Sequence, residues 1–259
     1  MERYKVILAY DGTRFSGFQR LSAAAGRGAK RSVQGEVETA LVRLGWKDQS
    51  ILSAGRTDTG VHASGQVVTF DLDWQHSTDA LCRALNDNLP QDVSAGRVEV
   101  VGRSFHPRYD AISRRYRYQL FCRPKRDPLN ERYAWRVWPA VEPRLLDEAA
   151  ARLVGNHDYK TFGSPPKAGG TTLRTVLKAC WEPWQGLNGQ FQDGDGLQFE
   201  IVANAFLYHM VRHLVFTQVQ IGQGKMSLED LDLALGEGVL RVKGLAPAHG
   251  LTLVEVNYD

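Results

Sequence analysis

The chain has 259 residues, of which 43% are apolar and 24% are charged, proportions typical of a globular protein with one large domain or two small ones. The N-terminal residues lack the basic and apolar regions of a secretion signal, and no apolar run reaches the roughly 18 residues of a membrane span. We therefore expect a cytoplasmic protein outside the membrane. Three separated cysteines, Cys82, Cys122 and Cys180, predict reduced thiols rather than a disulfide framework or a zinc site.

Alternating strand and helix patterns occupy the first part of the chain. Residues 3–10 place apolar side chains on one face with period two and precede the turn signal Asp11-Gly12, so they predict a strand. An Ala/Gly-rich loop with several cations follows at 22–31. Helical spacing from Val33 to Leu44 then predicts a helix that ends at Gly45. Further strands are predicted at 50–54 and 66–72, and a helix near 78–88.

The second part of the chain has a similar rhythm. A strand is predicted at 115–121, with Tyr116, Tyr118 and Leu120 on one face. Helices are expected from Pro143 and from a capping box at Ser227. Strands are predicted around 171–183, at 197–202 and at 251–258. This order favours two α+β halves, 1–105 and 106–259, joined near 104–112, over a doubly wound sheet.

Positive charge is concentrated near the middle of the chain. The net charge is only +3, but residues 103–136 contain ten Lys or Arg and three acids. Such clustering marks a candidate surface for phosphates.

The tripeptide Asp58-Thr59-Gly60 raises the question of what the aspartate does. Asp-Thr-Gly marks aspartic proteases, but these need two such aspartates that share a proton, and the chain has a single copy. A second interpretation is a turn residue whose side chain bonds the backbone before Gly60. The loop lies between two predicted strands, where a rigid sheet can orient a functional side chain.

Several motifs, in order, resemble the TruA family of tRNA pseudouridine synthases. They are YDGTRFSGFQR (10–20), SVQGEVETAL (32–41), GRTDTGVHA (55–63), LNDNLP (85–90), FHPRYDAISRRYRY (105–118), NAFLYHMVRHLV (204–215) and LAPAHGLTLVEVNY (245–258). The chain departs from the family pattern at Phe18, Leu21, Thr59, Pro107 and Phe216, where the family often has Trp, Gln, Ala, Ala and Gly.

The resemblance implies a role for three residues. Asp58 would be the nucleophile or base, Tyr116 would stack on the target uracil, and Arg212 would be the basic partner of the aspartate. An ionised carboxylate in a site that excludes water needs such a partner. Arg56, beside Asp58, is our candidate for holding or displacing a flipped nucleotide, with Tyr116 also binding substrate. Candidate RNA-binding cations are Lys30, Arg31, Arg114, Arg123, Lys125 and Arg126.

Two of these patterns also have plainer interpretations. Alternation of Tyr and Arg at 115–118 is usual for a strand with one buried and one solvated face. In FLYHMVRHLV, Phe206, Leu207, Met210, Val211 and Leu214 fall on one helical arc, while His209, Arg212 and His213 share the other. The two histidines could suggest a metal pair, but no Glu lies between them and no third ligand is evident, so no metal is predicted.

The resemblance implies isomerisation of uridine to pseudouridine at positions 38, 39 and 40 in the anticodon stem-loop of tRNA. The reaction moves the sugar bond from N1 to C5 of the same base, so no cofactor is expected. It also implies a homodimer and a pseudouridine synthase fold, an α+β fold with a mixed, mostly antiparallel central sheet flanked by helices, in two similar halves around a basic cleft. The alternative function is a non-catalytic RNA-binding or RNA-chaperone protein on the same scaffold.

Overall fold

The computed structural model describes residues 1–20, 30–192, 194–240 and 242–258. Leu21 and most of the Ala/Gly-rich loop at 22–31 lie outside these ranges. The chain forms two compact units, one of Met1–Ile112 with Leu253–Asp259, and the other of Ser113–Thr252. The sequence-based boundary at 105/106 lies seven residues before this junction, and the last residues of the chain belong to the first unit.

Antiparallel strands and two helices build the first unit. Its elements are β1 (Glu2–Tyr10), α1 (Val33–Arg43), β2 (Leu52–Ser53), β3 (His62–Leu72), α2 (Thr78–Asn88) and β4 (Val93–Val101). Strand β1 lies between β3 and β4 and is antiparallel to both. The alternating residues of β1 that face the core are almost fully buried, as the period-two pattern predicts: Tyr4, Val6, Leu8 and Tyr10.

Mostly antiparallel strands and three helices build the second unit. Its elements are β5 (Ser113–Cys122), β6 (Trp135–Val137), α3 (Pro143–Ala151), β7 (Gly155–Asp158), β8 (Leu173–Pro183), β9 (Gly196–Ala203), α4 (Met210–Gly222) and α5 (Leu228–Gly236). Strands β5, β9, β8 and β7 are neighbours in that order and antiparallel, whereas β6 is parallel to β5. Strand β10 (Leu251–Asn257) ends the chain and neighbours β3 within the first unit.

Helix boundaries confirm the capping signals read from the sequence. At the start of α1, where no cap was predicted, Ser32 accepts a hydrogen bond from the Gly35 amide. Ser227 and Asp230 form a reciprocal capping box at α5, and Pro143 occupies the first turn of α3. The α+β class and the mostly antiparallel pairing are confirmed. None of the helices in the described ranges is long and apolar enough to cross a membrane.

The prediction of one helical arc from Phe206 to Leu214 was wrong at its start. Helix α4 begins only at Met210, and His209 before it has φ of 65°, in the left-handed region. A single residue with this φ interrupts a right-handed helix, so Phe206 and Leu207 lie in the preceding loop rather than on α4.

Candidate active site

Asp58 lies at the start of a tight turn between β2 and β3, as the sequence predicts. The Val61 amide donates to the main-chain oxygen of Asp58 over 3.1 Å, and Gly60 has φ of 80°. A positive φ at the third position of a turn favours glycine. Because main-chain atoms close this turn, its closing hydrogen bond does not require the half-buried Asp58 carboxylate.

A segment from the end of β1 holds this turn in place. The Phe18 amide donates to Thr57 O over 3.0 Å, and the Gly60 amide approaches Phe15 O at 3.4 Å. Gly17 has φ of 98°, and a Cβ there would lie 2.9 Å from Thr57 O. The main chain at 15–18 therefore packs so closely on the Asp58 turn that a side chain at 17 would displace it.

A buried hydroxyl pair lies beneath the same turn. The hydroxyl groups of Tyr10 and Thr57 are 2.8 Å apart, and both side chains are buried. Burial raises the pKa of Tyr10 to about 12, so it stays neutral. Gln66 on β3 donates to Gly55 O over 3.0 Å. Neither support was predicted from the sequence, and the signal available was the placement of Tyr10 and Gln66 on the inner faces of predicted strands.

His62 provides a further support at the end of the turn. Its Nδ1 accepts the Gly12 amide over 3.0 Å and lies 3.2 Å from Asp11 Oδ1. A Cβ at Gly12 would lie only 2.1 Å from Val61 O. Arg56 is exposed at the other end of the loop, where its side chain can reach a ligand.

Tyr116 and Arg212 lie in the second unit. Tyr116 is half-buried on β5, and its ring contacts Phe206 edge-on, with centroids 5.0 Å apart. Two residues along β5, Tyr118 is fully buried and donates to Pro247 O over 2.8 Å. Burial raises the pKa of Tyr118, and the positive charge of Arg212 acts in the opposite direction. Arg212 Nε donates to the preceding carbonyl, Ala246 O, so Tyr118 and Arg212 are hydrogen-bonded to consecutive residues of one segment.

A main-chain clamp fixes Arg212 in the first turn of α4. Its Nε donates to Ala246 O over 2.7 Å, and the Ala246 amide donates to Arg212 O over 3.2 Å. One residue further along the chain, His213 Nδ1 is 2.7 Å from Gly244 O. Arg212 is thus half-buried and held against the segment before β10 rather than solvated on a helix surface.

Phe216, one of the departures from the family pattern, packs within this region. Its ring stacks on Trp135 with centroids 6.4 Å apart. A Cβ on Gly244 would lie within 2.2 to 2.5 Å of the Phe216 ring. Gly244 therefore provides the space that the larger side chain at 216 occupies.

The predicted RNA-binding cations differ in how far carboxylates compensate them. Arg31 pairs with Asp92 and Glu36, Arg123 with Asp195, and Arg126 with Glu131. Arg114 donates to Asn204 O over 2.8 Å. Lys30 and Lys125 are exposed. Among the described residues, no group of three His, Cys, Asp or Glu side chains has the arrangement of a metal site, and the absence of a metal stays a prediction.

Comparison with known proteins identifies the family. The model of the tRNA pseudouridine synthase family matches residues 6–110 and 149–259. The chain belongs to the tRNA pseudouridine synthase family. The tRNA pseudouridine synthase A of Brevibacillus brevis is 38% identical over 259 residues and is covered completely, as is this chain. The protein of the same name from Geobacillus kaustophilus is 37% identical over 262 residues, covering all of this chain and 95% of that protein.

The family match includes most of the residues that carry the site. The Asp58 turn and its supports at 10–18 fall within the first matched range. Arg212 and its clamp fall within the second matched range, whereas Tyr116 lies between the two. Membership of the tRNA pseudouridine synthase family therefore rests on both units.

Proposed function

We propose that this protein isomerises uridine to pseudouridine in the anticodon stem-loop of tRNA, at positions 38, 39 and 40. The observation that carries the proposal is Asp58, held half-buried on a turn with rigid main-chain supports, in a chain of the tRNA pseudouridine synthase family. The names of its relatives in Brevibacillus brevis and Geobacillus kaustophilus support tRNA as the substrate.

Asp58 is the proposed nucleophile or general base. The reaction breaks N1–C1′, forms C5–C1′, releases the proton from C5 and leaves a proton on N1. An ionised carboxylate can start this reaction either by attacking C1′ or by removing a sugar proton. Atoms and electrons balance within one nucleotide, which is consistent with the expectation of no cofactor.

Tyr116, Arg56 and Arg212 have supporting roles in the proposal. Tyr116 stacks on the uracil, because a flipped base loses its neighbours and an aromatic ring replaces part of that stacking. Arg212 is the proposed positive partner of the Asp58 carboxylate. Arg56 is exposed and holds or displaces the flipped nucleotide.

The decisive experiment is tritium release from tRNA labelled at C5 of uridine. Asp58→Asn preserves side-chain size and the main-chain turn but removes the negative charge, so we expect release to fall to background while tRNA binding survives. Asp79→Asn is the matched control, because Asp79 is an exposed aspartate in the first turn of α2. A folded Asp58→Asn protein that works within tenfold of the parent would refute the catalytic assignment.

The same preparations test the remaining parts of the proposal. Binding of tRNA by the parent without any tritium release would favour the non-catalytic RNA-binding alternative. Mapping pseudouridine in tRNA from a deletion strain tests the three positions, and sedimentation tests the proposed homodimer. Cell fractionation tests the cytoplasmic location that a tRNA substrate implies.

A further inference from the structure

Tyr208 presents an aromatic ring to solvent in the loop between β9 and α4. Its exposed fraction is 60%, which is high for so large a side chain. One face of the ring stacks on His209, with centroids 3.7 Å apart and planes inclined by 30°. The geometry leaves the other parts of the ring open to a ligand.

The backbone around Tyr208 is held on several sides. Its amide donates to Ser164 O over 2.9 Å, and a Cβ on Gly163 would lie 2.6 Å from Tyr208 O. His209 follows with φ of 65°, a conformation that costs free energy in a residue other than glycine and persists where the surroundings impose it. The loop therefore holds Tyr208 in its exposed position. Because the main chain is already ordered, a ligand can stack on the ring with little loss of main-chain entropy.

The same loop contacts residues of the proposed site. Phe206, two residues earlier, meets the Tyr116 ring edge-on at 5.0 Å. Asn204, at the start of the loop, accepts a hydrogen bond from Arg114. Helix α4, which carries Arg212, begins two residues after Tyr208. Tyr208 thus belongs to a segment whose other members contact the proposed uracil-stacking residue and a candidate phosphate-binding cation.

We propose that Tyr208 stacks on the base next to the target uridine. When a nucleotide leaves the stack, each neighbouring base loses a partner and exposes one face. An aromatic side chain covers such a face with little dependence on base identity. This inference rests on the proposed function, because it requires an RNA from which a uridine is extruded.

The test uses an anticodon stem-loop RNA with 2-aminopurine at the position on either side of the target uridine. Tyr208→Ala should weaken binding by roughly 5- to 150-fold, corresponding to the loss of one base–aromatic stack. It should also raise the emission of the bound probe at one of the two positions, because stacking quenches it. Tyr208→Phe should retain parental affinity and emission, since the ring remains.

Two further measurements separate stacking from charge and from folding. The slope of log affinity against log salt should be the same in Tyr208→Ala and the parent, because the substitution removes no cation that could neutralise a phosphate. Trp138→Ala is the matched control: Trp138 is an aromatic side chain that is 56% exposed, and it lies outside the basic stretch at 103–136. This variant should bind like the parent.

The outcomes distinguish this inference from the proposed function. Parental affinity and emission in Tyr208→Ala, or an equal loss in Trp138→Ala, would overturn the role of Tyr208 even if the parent releases tritium normally. If the parent neither binds nor converts the RNA, the proposed function fails and this inference fails with it.

Discussion

At the residue scale, Tyr116 and Tyr118 lie two positions apart on β5 but differ in surroundings. Tyr116 is half-buried beside Phe206, whereas Tyr118 is fully buried. We expect Tyr116→Phe to keep most RNA affinity, since the ring still stacks, and to slow turnover if the hydroxyl helps move a proton. Tyr116→Ala should lose both affinity and turnover, measured by RNA binding and tritium release. Unimpaired rates in both variants would show that Tyr116 is only a structural residue of the sheet.

Tyr118→Phe should produce the opposite pattern. Its hydroxyl donates to Pro247 O over 2.8 Å, so removing it leaves a carbonyl in this region without that donor. We expect a loss of about 0.5 to 1.5 kcal/mol in the free energy of unfolding. RNA affinity and turnover should stay near parental values. Denaturant unfolding beside the tritium assay checks both expectations, and a catalytic defect without destabilisation would contradict this one.

His249 gives the second unit a dependence on pH. Burial lowers the pKa of this imidazole, the charge of Arg212 adds to that effect, and a main-chain hydrogen bond with Ala134 and the charge of Glu131 oppose it. The unfolded chain binds a proton near pH 6.5 that the folded protein resists, so stability is full above that pH and falls as the pH drops toward the lower folded pKa. His249→Gln should reduce the change in thermal midpoint between pH 7 and pH 5. An unchanged pH profile would contradict the assignment.

At the element scale, the segment at 10–18 matters because it holds the Asp58 turn. Gly17→Ala should destabilise the fold and also slow turnover, because the new Cβ would lie 2.9 Å from Thr57 O. Gly45→Ala is the matched control, since Gly45 has a similar φ of 91° but nothing within 4 Å of a Cβ. Both should lose stability through the positive φ. A turnover defect confined to Gly17→Ala would tie the segment to Asp58, and equal turnover in both would separate them.

The sequence predicted elements where one local pattern dominates and failed where distant contacts decide. The alternation in β1, the capping of α5 and the loop position of Asp58 all follow from neighbours in sequence. The start of α4 did not, because the left-handed His209 follows a bridge between Tyr208 and Ser164. The bond between Tyr10 and Thr57 joins residues that are 47 positions apart, which no local pattern encodes.

At the scale of the whole molecule, only a small surplus of positive charge is available to bind the phosphates of tRNA. The net charge is +3, and three of the six candidate RNA-binding cations, Arg31, Arg123 and Arg126, are paired with carboxylates. Arg31 contacts both Asp92 and Glu36 and lies over the Phe15 ring at 4.3 Å. The Arg31 guanidinium holds the pKa of Asp92 below its usual range. We infer that Arg31 acts partly as a structural residue of the first unit, unlike the exposed Lys30 beside it.

Salt dependence and thermal stability distinguish phosphate binding by Lys30 from the structural role of Arg31. Neutralising Lys30, Arg31, Arg123, Lys125 and Arg126 together should weaken tRNA binding and flatten its salt dependence, with little change in the turnover of bound substrate. The double variant Lys30→Gln/Lys125→Gln should make the negative slope of log affinity against log salt shallower. The expected change is about 0.7 to 0.9 for each phosphate that the protein no longer neutralises, at parental stability.

Arg31→Gln should instead lower the thermal midpoint, because it leaves Asp92 and Glu36 without their cation. Filter binding at several salt concentrations, beside thermal unfolding, measures both quantities. An unaltered slope in the five-fold variant would mean that the RNA surface lies elsewhere, whereas parental stability in Arg31→Gln would remove only its structural role.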